Sequence, residues 1–205
     1  MDGSTWRLRV GAFVVVLATV GLGLQAPAHA ADAPVADPAS LTEDPITDPP
    51  VPALEDQPSQ YVLADSTAEA AAILDALASG GSASINAASV QYGPCVLYPS
   101  VVYLRASSGY GAVGAKPYTK CSVAVTSIHH ETTLKYKWAL WWRSKGPYTG
   151  TNYGAASYTS YNVEYWCKSS ESTTWAGTTW GSILYRGNTY YARVYQGQQQ
   201  LKCGA

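Results

Sequence analysis

The triplet His129-His130-Glu131 is where acid–base or metal chemistry would concentrate, because the only other histidine, His29, lies at the end of an N-terminal leader. On an extended chain side chains alternate, so His129 and Glu131 share a side, and a third ligand from elsewhere would complete a metal site. The plainer reading is a polar strand end, and it is adopted here: no metal ligand and no catalytic residue is assigned. A Ser-His-Asp triad needs an orienting carboxylate. Beyond residue 80 the chain has no Asp, and its only glutamates are Glu131, Glu164 and Glu171. Nothing in their spacing apposes two of them as a glycosidase requires. No G-x-S-x-G elbow, P-loop or dinucleotide fingerprint occurs. The chain therefore reads as a binding protein, with no cofactor expected.

The binding chemistry is carried by Lys135, Lys137, Trp141, Arg143, Lys145 and Tyr148. Cations of this kind attract phosphate or carboxylate, and aromatic faces stack on sugars or bases. Residues 132–143, TTLKYKWALWWR, alternate with period 2. Read as one half-buried strand, they put Leu134, Tyr136, Trp138, Leu140 and Trp142 on the core face. Lys135, Lys137, Ala139, Trp141 and Arg143 then face outward. Residues 146–158 follow as a loop whose Tyr, Ser, Gly and Asn content resembles that of a paratope. Seven Trp and sixteen Tyr against one Phe is a biased choice. Trp and Tyr add a polar tip suited to half-wet surfaces.

The elements that must position these groups follow from composition. Arg7 and Arg9, an apolar run over 10–24, Pro27 and the small residues of Ala28-His29-Ala30 make residues 1–30 a secretory signal. No later stretch is long and apolar enough to anchor the chain, so the product is expected outside the cell without integral membrane insertion. Residues 31–60 hold seven prolines, scattered acids and little apolar bulk, and read as a disordered arm. The Ala/Pro/Asp-rich style of the signal and this arm resembles that of small secreted proteins of high-GC Gram-positive bacteria. Within 61–81, residues 66–79 read as a short amphipathic helix, with a capping box at Ser66 and Glu69 and a stop at Gly80-Gly81. From residue 31 to 80 there are ten acids and no Lys or Arg; from 81 onward there are eleven Lys/Arg and three Glu. That asymmetry suits a polyanion-facing domain with an acidic companion segment.

Residues 82–205 read as strands separated by turns: two runs around Pro99, a Gly-rich loop over 107–117, an alternating run in which Cys121, Val123 and Val125 face inward, a strand around 161–168, and a hairpin joined through Gly187-Asn188. The expected fold is mainly β, a small antiparallel sandwich or barrel. Cys95, Cys121, Cys167 and Cys203 read as two disulfides, since gaps of this length do not suit a zinc site. Three pairings are open; Cys95–Cys121 with Cys167–Cys203 is expected because each bridge would tie off one half of the domain.

These readings make the protein a secreted, non-enzymatic binding domain for an anionic polymer or glycan of the cell envelope or its surroundings. The alternative is a protein-directed inhibitor or toxin-like effector that uses the 146–158 loop, and a small hydrolase ranks third. The acidic helix segment is either part of the fold or a pro-segment removed near Gly80. Intact-mass measurement of the exported protein separates these: the expected first residue is Ala31, whereas a start near Gly80 would establish a pro-segment.

Overall fold

The computed structural model describes residues 56–80 and 89–205. The signal peptide expected over residues 1–30 and most of the arm expected over 31–60 lie outside the described residues. The chain is mainly β, with antiparallel pairing throughout. In chain order the elements are β1 (Ser59–Leu63), α1 (Thr67–Ala78), β2 (Tyr92–Tyr98), β3 (Tyr103–Leu104), β4 (Ala112–Gly114), β5 (Tyr118–Trp138), β6 (Trp141–Thr159), β7 (Glu164–Trp166), β8 (Ser169–Tyr185) and β9 (Asn188–Gly204).

A five-strand barrel is closed by the length of β5. One edge of this 21-residue strand pairs with β2 over 118–121 and then with β8 over 127–136. The ring β5-β2-β1-β9-β8 is thereby completed, and β6 runs along the other edge of β5. Between Lys120 and Val125 the register of β5 shifts, a bulge that re-aims the strand where it changes partner. The same bulge breaks the alternation. Cys121 and Val125 are buried, but Val123 faces solvent, against the expectation that all three point inward.

Two apolar cores are stacked along the strands. The first fills the barrel with Tyr61, Leu97, Val125, Ile128, Ile183, Tyr190 and Val194. The second packs Leu134, Tyr136 and Trp175, from the far ends of β5 and β8, against Val102, Val113 and Val163 around a three-stranded sheet β3-β4-β7. Each core carries one bridge: Cys95–Cys121, between directly opposed residues of β2 and β5, and Cys167–Cys203. The pairing matches the expected one. On loop entropy each bridge is worth roughly 3.5 kcal/mol.

A polar belt separates the cores. Along the inward positions of β5, Ile128 is followed by His130 and Thr132 before Leu134; on β9, Val194 is followed by Gln196. Thr132 Oγ1 lies 2.9 Å from Thr179 Oγ1, to which Gln196 Nε2 donates at 2.8 Å. Beside them runs the chain Tyr61–Thr119–His130–Ser160. Its hydroxyl and imidazole links are 2.6 Å for Tyr61 to Thr119, 2.7 Å for Thr119 to Nε2 of His130, and 2.8 Å for Nδ1 to Ser160. Gly181 of β8 is required here, because a Cβ would run into the ring and hydroxyl of Tyr61.

Several elements differ from the sequence reading. β1 begins at Ser59, inside the stretch read as arm, and supplies Tyr61 and Val62 to the barrel. A cut near Gly80 would therefore remove a wall strand together with α1. Helix α1 forms where expected: Ser66 caps Glu69 N at 3.2 Å, while the Glu69 carboxylate accepts from Asp65 N at 2.8 Å, one residue earlier than the usual box. Asp75 ties it to Arg193 of β9. The 107–117 loop contains β4, and residues 146–158 are not a loop but lie within β6, paired with β5. Around 161–168 only Glu164–Trp166 is strand. The last hairpin turns at Arg186-Gly187, both with positive φ, one residue earlier than expected. β9 then continues through Cys203 to Gly204.

Two outcomes follow from the belt. Burial, aided by the neighbouring His129, lowers the His130 pKa to about 3 from an ordinary 6.5. Between those values the unfolded chain holds one more proton than the folded one, so stability falls as pH falls. Urea unfolding is expected to lose ~2 kcal/mol between pH 6.5 and 5, and His130→Gln should remove that component of the slope. Gly181→Ala is expected to lower stability by about 1–3 kcal/mol through overpacking against Tyr61, read as a fall in the urea midpoint.

Candidate functional site

The long β5–β6 hairpin positions the predicted binding residues, and it divides them. The 132–143 segment is not one strand. β5 ends at Trp138, Ala139 and Leu140 make the turn, and β6 begins at Trp141, with Trp138 paired to Trp141. Ala139 has φ 53°, at a turn position where glycine is the usual residue. Without Gly or Asn there, the alternation reads straight through. Directly paired residues of antiparallel strands lie on the same face. The pairs Leu134–Lys145, Tyr136–Arg143 and Trp138–Trp141 therefore put Trp141, Arg143 and Lys145 on the side of Leu134 and Tyr136. Lys137 pairs with Trp142, so the buried Trp142 shares the face of Lys135 and Lys137. The turn reverses the parity of every residue after it, and the six-residue strip expected on one face does not form there.

Contacts agree with this division. Lys145 Nζ sits 5.4 Å from the Tyr136 ring centre and 5.3 Å from that of Tyr165. Tyr148 packs against the second core, and its burial, with Tyr165 and Glu164 nearby, pushes its phenol up to about 12. Lys145 and Tyr148 thus line the edge of the second core. Glu164 is engaged by Arg105 Nε at 3.1 Å and by the Ser108 hydroxyl at 2.5 Å.

Beyond the three-stranded sheet the hairpin tip carries a compact group. Trp138 is 55% exposed, Leu140 85% and Trp141 49%. The Arg143 guanidinium lies 4.3 Å from the Trp138 ring centre, a cation–π contact that holds charge beside the indoles. Lys137 is exposed on the reverse side. The sequence reading had placed Trp138 and Leu140 in the core; Leu140 leaves it because it lies in the turn, and Trp138, still on the face of Tyr136, because the packing against that face ends before it.

His129 and Glu131 do share a side, as alternation required. They face outward from the barrel wall beside Trp180, Gly181, Ser182, Tyr191 and Thr67, around a groove of about 180 Å³. His130 points the opposite way, into the polar belt, so the triplet is not a joint site. Trp180 is a surface aromatic that the sequence reading did not single out. The alternation of buried Thr179, Gly181 and Ile183 would have placed it outward. A larger groove, about 310 Å³, runs between α1 and strands β1 and β9, lined by Val62, Leu74, Leu77 and Tyr195.

Among the described residues no three His, Cys, Asp or Glu side chains gather where they would hold a metal ion. No helix among them is long and apolar enough to cross a membrane. No protein-family model, curated protein or solved structure matches this chain.

Proposed function

We propose that this protein is an exported, non-enzymatic binding domain that docks on an anionic polymer or glycan surface of the cell envelope through the tip of the β5–β6 hairpin. The observation that carries this reading is the joint exposure of Trp138, Leu140 and Trp141 with Arg143 stacked on Trp138. Large apolar side chains at the end of a two-stranded projection serve no core. An exposed group of this kind, rimmed by charge, marks an interaction surface. Indoles suit a boundary between water and a less polar phase, and the adjacent cations draw phosphate or carboxylate.

Export is supported by the Arg-flanked apolar leader ending in Ala28-His29-Ala30, and by two disulfides, which persist in oxidising compartments. The split of charge supports approach to a polyanion: residues 81–205 carry eleven Lys/Arg against three Glu. The protein-directed alternative rested on a paratope-like loop over 146–158 and on the disulfide scaffold; the bridges are present, but residues 146–158 lie in β6. The hydrolase reading rested on the two adjacent histidines, which face opposite sides of the wall.

Sedimentation with purified envelope fractions tests the proposal. Burying one indole contributes about 1.5–3 kcal/mol, so Trp141→Ala is expected to weaken binding tenfold or more at any ionic strength. Lys137→Ala should matter at about 0.1 M salt and little at about 1 M, where the screening length falls from ~10 to ~3 Å. Wild-type binding by a Trp138→Ala/Trp141→Ala protein would overturn the proposal.

A further inference from the structure

On the outer wall of the barrel two cross-strand rows lie side by side. The first is Glu131 of β5, Trp180 of β8 and Arg193 of β9; the second is His129, Ser182 and Tyr191 on the same three strands. Both rows span two strand spacings, ~10 Å. The Arg193 guanidinium lies 5.0 Å from the Trp180 ring centre and is itself paired with Asp75 of α1. This fixes the indole and uses the nearest cation. His129 Nδ1 is engaged by Thr151 Oγ1 at 2.8 Å, which orients the ring and leaves Nε2 as its hydrogen-bonding atom toward a ligand. Glu131 is exposed. Thr67, the first residue of α1, closes one side.

We infer that this groove is a binding site for an uncharged pyranose of a glycan, stacked on Trp180 and hydrogen-bonded by Glu131, His129 and Ser182. The chemistry selects this class. An indole face is electron-rich and flat, and it accepts the slightly positive C–H face of a sugar ring. Around that face stand a carboxylate that accepts hydrogen bonds, an imidazole that offers its Nε2, and hydroxyls that both donate and accept. This is the mixture of one apolar platform and few convergent polar groups that orients a small polar ligand. An anion is disfavoured: Glu131 lines the groove, and Asp65 and Glu69 lie at the end of α1 that contributes Thr67. A purely apolar ligand would leave the carboxylate and imidazole desolvated without partners.

The site goes beyond the hairpin-tip reading, because none of Trp138, Leu140 or Trp141 lines the groove. A full chain with ¹⁵N-labelled tryptophan tests it, titrated separately with chitohexaose, cellohexaose, laminarihexaose and inorganic phosphate to about 10 mM, above the millimolar range of weak complexes. The Trp180 indole signal, assigned by its loss in Trp180→Phe, is expected to shift saturably with at least one oligosaccharide and not with phosphate. The Trp138 and Trp141 signals report the hairpin tip separately, so a response there leaves the outcome for this groove to Trp180 alone. Glu131→Gln changes an exposed side chain and leaves the core intact; it should weaken that binding about tenfold. No Trp180 shift with any oligosaccharide, a shift with phosphate alone, or unchanged affinity in Glu131→Gln would overturn the inference.

Discussion

The molecule is organised by the fact that β5 is long enough for one edge to serve two neighbours. Its first residues bond β2 and its later ones bond β8, so the ring β5-β2-β1-β9-β8 closes without an additional strand. Closure matters because an open sheet presents unpaired N–H and C=O groups along its edges. The bulge after Lys120 makes the exchange of partners possible by turning the strand where β2 ends. Once the ring exists, β1 has a fixed place between β2 and β9, and α1 lies over that wall with Asp75 on Arg193.

Strands of 17 to 21 residues outrun a single barrel core, and the chain responds with two. In the belt between them His130 bonds Thr119 and Ser160, and Thr179 bonds Thr132 and Gln196, contacts that gain strength in a low-dielectric interior. The belt also bears on register. A one-residue slip of β5 would turn His130 and Thr132 to solvent and bring His129 and Glu131 inward without partners. The aromatic bias has a related cause. The fully buried Trp175 donates its indole N–H to the Cys203 carbonyl at 2.9 Å, and the fully buried Tyr61 bonds Thr119. Phe has no such polar tip and would leave the partner oxygens with fewer bonds. Polar tips therefore serve the interior as well as wet surfaces, where the sequence reading had placed their value.

The surfaces open to partners result from where the walls stop. The three-stranded sheet covers Leu134 and Tyr136 but not the last residues of the hairpin, so Trp138 and Trp141, on the same face, emerge beyond it. On the other side, α1 covers part of the β9 wall and leaves the rows around Trp180 open. The two surfaces differ in charge: Arg143 and Lys137 accompany the tip, while Glu131 and the acids of α1 accompany the groove.

Period-2 alternation, an even number of well-separated cysteines, and Gly- and Pro-rich breaks were enough to state a mainly β, antiparallel, disulfide-stapled domain, because each is a local constraint on the chain. The helix at 66–79 was legible for the same reason, since capping and helix-forming residues act within one turn of each other. What lay beyond the sequence was anything set by parity across a turn that carries no turn signal. Ala139-Leu140 turns the chain without glycine, so Trp141, Arg143 and Lys145 exchange faces with Trp142, and Leu140 leaves the core. β1 was equally hidden: five residues next to a proline-rich arm become strand only because β2 and β9 present edges on either side. Side-chain periodicity is written residue by residue, but the face it points to depends on where the chain reverses and on what packs above it, and only the tertiary structure decided both.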